Sequence, residues 1–326
     1  MTLPYIARLV CLSFASFFLI HLLFGFLVTA TSAPLMRATQ RMDPRVAVRV
    51  ALSLRFLPAA FALVAVAGVC VPSYLLFEPR NIAEPMGWAC LLGAALCVLI
   101  CAASFARVSV AVVQSFRYTH SCSKTACRMQ LAGENTSLFI FEDRAPTVLL
   151  CGILRPRVLV SSTASNALSS EELAVAFRHE HAHCLSRDNW KRLLLLLAPG
   201  ILPFWHGFRT LERAWARFAE WAADDRAAAG DPARSASLAS ALVHLARLSN
   251  RNTTPALATS LLAPDCDLAE RVERLLKTSV THNNPPRATS LVPSAFALCL
   301  LAIIASLFVH NTGLSSVHTL LERLIH

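Results

Sequence analysis

The chain has 326 residues and a formal net charge of +10, with 55% hydrophobic and only 15% charged residues. Soluble domains usually carry about 25% charged residues, so this composition excludes a disordered chain and a fully soluble enzyme. It indicates a membrane protein with a soluble part, and the length suits about two domains. The eleven cysteines are an odd number without a CxxC spacing, which favours free thiols in a reducing compartment.

Four apolar stretches are long enough to cross a bilayer, which requires about 20 apolar residues. They cover about residues 9–30, 56–77, 86–105 and 291–309. The first is longer than the apolar core of a signal peptide, which has about 7–15 residues, so we interpret it as an uncleaved span. A fifth apolar run, 193–205, is too short to cross and contains two prolines. Such a run favours a buried or membrane-associated segment.

The distribution of basic residues predicts an orientation in the inner (cytoplasmic) membrane. The segment between the first two spans contains Arg37, Arg41, Arg45, Arg49 and Arg55. Only Arg80 lies between the second and third spans, whereas several basic residues follow the third. Because Lys- and Arg-rich segments stay in the cytoplasm, we expect segment 118–288 to be cytoplasmic and both termini to be extracytoplasmic. The predicted organisation is a membrane region (1–117), a cytoplasmic domain (118–288), and a fourth span with a short tail (289–326).

A predicted helix in the cytoplasmic segment contains the sequence His-Glu-x-x-His. Ser169 and Glu172 match the capping box that begins many helices. His179 and His183 are four residues apart, so they share one helix face, and two imidazoles at this spacing can bind one zinc ion. Glu180 is rotated by about 100° from its neighbour, so it can act on a water at the metal instead of binding the metal.

A catalytic zinc needs a third protein ligand, and a second helix predicted over 211–229 offers one. Glu220 and Asp224 are four residues apart on this helix. We expect Glu220 to bind the metal and Asp224 to accept the second ring N–H of a ligand histidine. The alternatives are two polar histidines on an exposed helix face, and an exposed acidic pair balanced by Arg217 and Arg226. The Leu-, Ala- and Phe-rich surroundings of the histidines favour a buried role for them.

The segment 147–276 resembles the BlaR/MecR-type transmembrane zinc metallopeptidases, which are gluzincins related to the HtpX-type membrane proteases. The pattern H-E-x-x-H-x-x-x-x-D is present at 179–188, and E-x-x-x-D is present at 220–224. Three shorter segments add to the resemblance: a strand at 152–160, the helix start at 168–172, and an arginine-bearing stretch at 268–272.

The resemblance implies a mainly α membrane protein: four transmembrane helices and a cytoplasmic α+β gluzincin-like domain with a small sheet. It implies a zinc endopeptidase with one Zn²⁺ bound by His179, His183 and Glu220, and with Glu180 as general base. In the sensor proteins of this type, a penicillin-binding domain follows the fourth span. This chain ends at His326 without such a domain, so we do not expect it to sense β-lactams directly.

The expected activity is hydrolysis of a protein substrate near the cytoplasmic membrane face. Regulatory proteolysis, for example of a transcriptional repressor, is the leading hypothesis. An HtpX-type quality-control protease and a non-catalytic membrane signalling scaffold are the alternatives. The expected partners are a protein or peptide substrate and the lipid bilayer. Because the sequence lacks a basic patch interleaved with aromatics, direct nucleic-acid binding is not expected.

The sequence does not identify which side chain would stabilise the transition state in addition to the metal ion. Arg271, His244 and His206 are the candidates, because the last tyrosine, Tyr118, precedes the zinc helix. Strand 155–162 is expected to offer an edge to which an extended peptide substrate adds, by analogy with other zinc proteases.

Two other polar residues near the zinc helix have predicted places. We expect Asp188 to be a polar anchor near the helix end, paired with Arg187 or Lys191. His181 lies between the two candidate ligands but on another helix face, so we interpret it as non-ligating.

Overall fold

The three N-terminal apolar stretches form long helices that pack against one another. In the computed structural model, the described residues are 4–79, 86–130, 137–143, 145–153, 156–202, 207–248, 259–260, 267–278 and 319. The first long helix is α1 (Tyr5–Thr39) and the third is α4 (Trp88–Thr125). The second consists of α2 (Pro44–Ala65), a π-helical turn (Val66–Cys70) and α3 (Val71–Phe77), which follow one another without a gap. Within the described residues, these three stretches are long and apolar enough to cross a membrane. The predicted fourth span, 291–309, lies outside those residues.

The helices extend well beyond the predicted spans. Helix α4 continues far past the expected end at residue 105, because no glycine or proline interrupts residues 94–125. Only residues 40–43 connect α1 to α2, so four of the five arginines between the first two predicted spans lie in helices. The Asp43 carboxylate accepts the N–H of Arg45 at 2.7 Å and Pro44 occupies the first turn, and both favour a helix start there.

A small sheet follows the membrane helices. Its strands, among the described residues, are β1 (Cys127–Gln130), β2 (Ser137–Phe141), β3 (Val148–Cys151), β4 (Arg157–Ser161) and β5 (Thr259–Ser260). Their order is β1-β2-β4-β3-β5, with β2 and β4 parallel and the other neighbours antiparallel.

The expectation that strand 155–162 offers a free edge is wrong. β4 pairs with β2 on one side and with β3 on the other, so its backbone groups are already used. The chain reverses between β3 and β4 at Gly152, whose φ of 94° is accessible to glycine at little cost. This reversal pairs β3 with one side of β4, and the parallel pairing with β2 on the other side makes β4 an inner strand.

Six further helices complete the described part of the chain. They are α5 (Ser162–Ala167), α6 (Ser170–Ser186), α7 (Asp188–Leu197), α8 (Arg209–Ala228), α9 (Pro232–Leu248) and α10 (Leu268–Thr278). The predicted capping box begins α6: the Glu172 N–H donates to Ser169 Oγ at 3.2 Å, and the Ser169 N–H donates to Glu172 Oε2 at 2.9 Å. Helix α8 ends where Ala229 and Gly230 adopt positive φ, a conformation that commonly ends helices.

The apolar run 193–205 lies only partly within the described residues. Its first part belongs to α7, which ends before Pro199 because a residue preceding proline is disfavoured in the helical region. Residues 203–206, which include the candidate His206, lie outside the described residues.

Helix α8 connects the membrane helices with the sheet domain. Its Trp215 and Phe218 pack in a buried cluster with Ala47 and Ala51 of α2. Its C-terminal part packs beside α6 and α9, where Ala227 belongs to the core below the sheet. The helix that carries Glu220 is therefore held from both sides.

Candidate metal centre

The three predicted ligands converge between α6 and α8. The two imidazole Nε2 atoms of His179 and His183 are 3.2 Å apart. Glu220 Oε2 lies 3.3 Å from His179 Nε2, and Glu220 Oε1 lies 3.6 Å from His183 Nε2. All three side chains are fully buried, and one ligand atom from each lies within 4.8 Å of the others.

The outer nitrogens of both imidazoles face carboxylates. His179 Nδ1 lies 2.9 Å from Asp224 Oδ1, and His183 Nδ1 lies 2.7 Å from Asp188 Oδ2. A carboxylate at Nδ1 holds the proton there and leaves Nε2 as a lone pair. Each histidine therefore presents its lone pair to the same small volume.

This donor set fits a tetrahedral metal ion. Two lone pairs at 3.2 Å repel each other unless a cation or a proton lies between them. Both Glu220 oxygens are buried and have no well-aligned hydrogen-bond donor among the described residues. A tetrahedral zinc with Zn–N bonds of about 2.0–2.1 Å separates its ligand atoms by about 3.3 Å, which is close to the three observed separations.

Arg271 of α10 fixes the two acidic residues of α8. Its Nη1 lies 3.1 Å from Glu220 Oε2, while its Nε and Nη2 donate to the two oxygens of Asp224 at 2.9 and 2.7 Å. The guanidinium is only 2% exposed. Arg271 is therefore placed to orient Glu220 and Asp224. This position does not favour the predicted role, in which Arg271 contacts the transition state.

The structure does not bring His244 to the metal centre. Its Nδ1 lies 3.0 Å from Glu172 Oε1, and its side chain is 47% exposed. Glu172 is seven residues before His179, a rise of about 10 Å along α6. His244 therefore contacts the capping box at the start of α6, and the expectation that it acts at the site is wrong.

Asp188 has a role that the sequence analysis missed. It was expected to pair with Arg187 or Lys191, and its Oδ1 does accept from Lys191 Nζ at 2.7 Å. Its other oxygen, however, orients His183. Arg187 ends α6 in the left-handed region, with φ 54° and ψ 41°, and this break turns Asp188 back toward His183. The five-residue spacing from His183 to Asp188 was the available signal.

Glu180 is fully buried next to His179 on α6 and lies near the end of β3. Burial raises the pKa of the Cys151 thiol on β3 to about 12, and the charge of Glu180 contributes to this rise. His181 stacks on Phe177 with 6.0 Å between the ring centroids, and it does not belong to the cluster of candidate ligands.

The buried carboxylates dominate the electrostatics of the site. Burial alone lowers the pKa of His183, but Glu220 and Asp188 outweigh it and raise this pKa to about 10. The pKa of His179 is raised in the same way, because Asp224 and Glu220 outweigh its burial. Burial opposes ionisation of Asp224, yet Arg271 and His179 lower its pKa to about 2. The site therefore has the negative potential that attracts a divalent cation.

The comparisons with known proteins place these observations in one family. The family model described as BlaR1 peptidase M56 matches residues 13–275. No curated protein sequence shows significant similarity to the chain. The match covers the three apolar helices, the sheet, and the candidate His-His-Glu metal site. The chain therefore belongs to the BlaR1 M56 peptidase family of membrane metallopeptidases.

Proposed function

We propose that the protein is a zinc endopeptidase embedded in the cytoplasmic membrane, which hydrolyses peptide bonds of a protein substrate near the cytoplasmic face. The observation that carries this proposal is the convergence of His179, His183 and Glu220, with each imidazole oriented by its own carboxylate. Two nitrogens and one carboxylate oxygen form the ligand set of catalytic zinc sites that keep one position open.

Each side chain around the ligands has a distinct task in this proposal. Zinc supplies Lewis acidity and lowers the pKa of a water at the site to about 7. Glu180 accepts a proton from the attacking water and then donates it to the leaving amine. Asp224 and Asp188 hold the two imidazoles, and Arg271 holds the Glu220 carboxylate. These contacts keep the ligands in place before substrate arrives.

A cavity beside His183 offers space for part of a substrate. It has a volume of about 270 Å³ and lies between the β3–β4 turn and the start of α7, with Gly152, Pro156 and Trp190 in its wall. Because Glu180 and the three candidate ligands are fully buried, a peptide reaches them only after a neighbouring segment moves. We infer that opening of the site is part of the reaction cycle.

Three single substitutions on α6 test the chemistry. Glu180→Gln is expected to keep bound zinc and lose proteolysis, whereas His183→Ala loses both. His181→Ala is the matched control and keeps both, because His181 lies outside the ligand cluster. Zinc content is measured by elemental analysis of the purified full chain, and proteolysis by cleavage of membrane-associated proteins. Retained cleavage by Glu180→Gln would refute the assignment of the base.

The regulatory role and the orientation are tested separately. The Glu180→Gln variant should trap its substrate, and regulatory proteolysis predicts one defined protein, such as a transcriptional repressor. Many trapped membrane proteins would instead indicate a quality-control protease. A reporter fused near residue 130 is expected to be cytoplasmic, and an external signal there would overturn the proposed topology.

A further inference from the structure

A second cavity, lined by arginines, lies where α4, α7 and α8 meet. Its volume is about 450 Å³, and it is separate from the metal centre. Four basic side chains from the three helices line it: Arg107, Arg192, Arg209 and Arg213. Glu212 is the acidic residue in its wall, but Arg55 of α2 already donates to this carboxylate at 3.0 Å. The cavity therefore has a large excess of positive charge.

Two of the four arginines, Arg209 and Arg213, come from the first turns of α8. Among the described residues, no carboxylate lies within ion-pair distance of Arg209 or Arg213, and both side chains are exposed. Arg107 donates to the Ser104 hydroxyl at 2.9 Å, and Arg192 lies over the Trp215 ring at 5.7 Å. Like charges gathered around one cavity repel each other unless an anion joins them.

The cavity lies beside exposed apolar side chains of α4 and α7. Arg107 follows the predicted span end by two residues, and Phe105 at that end is 67% exposed. On the neighbouring α7, the apolar side chains of Trp190, Leu194 and Leu197 are exposed as well. Exposed apolar side chains beside a basic cluster are typical of the boundary between acyl chains and headgroups.

We propose that this cavity binds the phosphate of an anionic phospholipid headgroup. Guanidinium groups bind phosphate oxygens in pairs, and the N-terminus of α8, which begins at Arg209, adds its favourable dipole. The exposed apolar residues of α4 and α7 contact the acyl chains. A free phosphate ion or an acidic peptide would use the arginines but leave these apolar residues without a partner, which is why we favour a lipid.

Lipid binding to the full chain in detergent tests the proposal by native mass spectrometry. Phosphatidylglycerol is titrated in parallel with phosphatidylcholine, and we expect one phosphatidylglycerol to bind more tightly. Each arginine near a headgroup contributes about five-fold to affinity, so Arg209→Ala with Arg213→Ala should weaken binding about 30-fold. The matched control, Arg41→Ala with Arg45→Ala, removes the same charge from exposed residues next to the α1–α2 connection and should change binding less than about two-fold.

Several outcomes would overturn the assignment. Equal weakening by the two double variants would mean that only the total charge matters. Equal affinity for the two lipids would exclude a headgroup site. If inorganic phosphate displaces phosphatidylglycerol completely, the cavity is a site for the free anion. If a soluble glutamate-rich peptide binds there and phosphatidylglycerol does not, the cavity is a peptide site. Replacing Arg209 and Arg213 by lysine keeps the charge but removes the paired guanidinium contacts, so it should weaken binding, although less than the double alanine variant does.

Discussion

Two arginines of α10 allow a test of how the metal centre is held together. Arg271 and Arg274 are three residues apart and pair with the neighbouring residues Asp224 and Asp225 of α8, at 2.7 and 2.6 Å. The first pair is almost fully buried, at 2% and 1% exposure, whereas the second is 24% and 30% exposed. Truncating each arginine to alanine therefore removes similar contacts from very different environments.

The expected losses of stability differ by several kcal/mol. Arg271→Ala leaves the carboxylates of Asp224 and Glu220 buried without their guanidinium, and breaking a buried ion pair costs about 3–5 kcal/mol. Arg274→Ala leaves Asp225 where water can reach it, so the expected loss is about 1 kcal/mol or less. For a cooperative unit of 150–250 residues, about 3–5 kcal/mol lowers the Tm by roughly 6–20 °C.

The losses of stability caused by Arg271→Ala and by Arg274→Ala are measured by thermal unfolding of the detergent-solubilised full chain. Each variant is unfolded once with EDTA and once with added Zn²⁺. The Tm of the Arg271→Ala variant should fall far below that of Arg274→Ala in EDTA. Zinc should reduce this difference, because a divalent cation at the ligands neutralises Glu220 in place of the guanidinium. If the two variants unfold within 2 °C of each other in EDTA, about the effect of 1 kcal/mol, the buried network does not stabilise the fold as argued.

Three further predictions concern α6 and its ends. Asp188→Asn should weaken zinc affinity about 10- to 100-fold, measured by competition with a chelator, because His183 loses the carboxylate that orients it. Ser169→Ala should lower the free energy of unfolding by about 1 kcal/mol, measured by chemical denaturation, since the N-cap is lost. Burial opposes ionisation of Glu172, but hydrogen bonds from Ser240 and the Ser169 N–H lower its pKa below the usual value. The contribution of Glu172 to the free energy of unfolding is therefore present above the unfolded pKa of about 4.3 and is lost as the pH falls through the folded pKa. The difference in the free energy of unfolding between wild type and Glu172→Gln should therefore shrink between pH 6 and pH 3.

The parts of the site that follow from local spacing could be predicted from the sequence. The capping box at Ser169 and the helical period placed His179 and His183 on one face of α6, and the structure brings both to one cluster. The spacing of Glu220 and Asp224 likewise placed them one turn apart on α8. Helical geometry alone decides these relations, so tertiary packing could not change them.

The parts that depend on breaks and long-range pairing could not be predicted in this way. The reversal that brings Asp188 to His183 uses a left-handed arginine, Arg187, where a sequence usually signals such a turn with glycine. Arg55 was counted among the basic residues between the first two predicted spans. It is instead buried on α2, where it donates to Glu212 and to the Ala198 carbonyl oxygen at 3.0 Å each. Its partners are more than 140 residues away in sequence, and no local pattern contains that information.

The charges around α6 and α8 give a further argument for a bound cation. Three buried carboxylates lie next to the imidazoles: Asp188, Glu220 and Asp224. Among the described residues, Arg271 pairs with the two carboxylates of α8, and Lys191 pairs with Asp188. With neutral imidazoles these five side chains have a formal charge of −1, and burying uncompensated charge costs several kcal/mol per ion. A metal cation between the two imidazoles removes this excess of negative charge. The same count explains why the pKa of His183 rises to about 10, since protons and a metal ion compete for the same excess of negative charge.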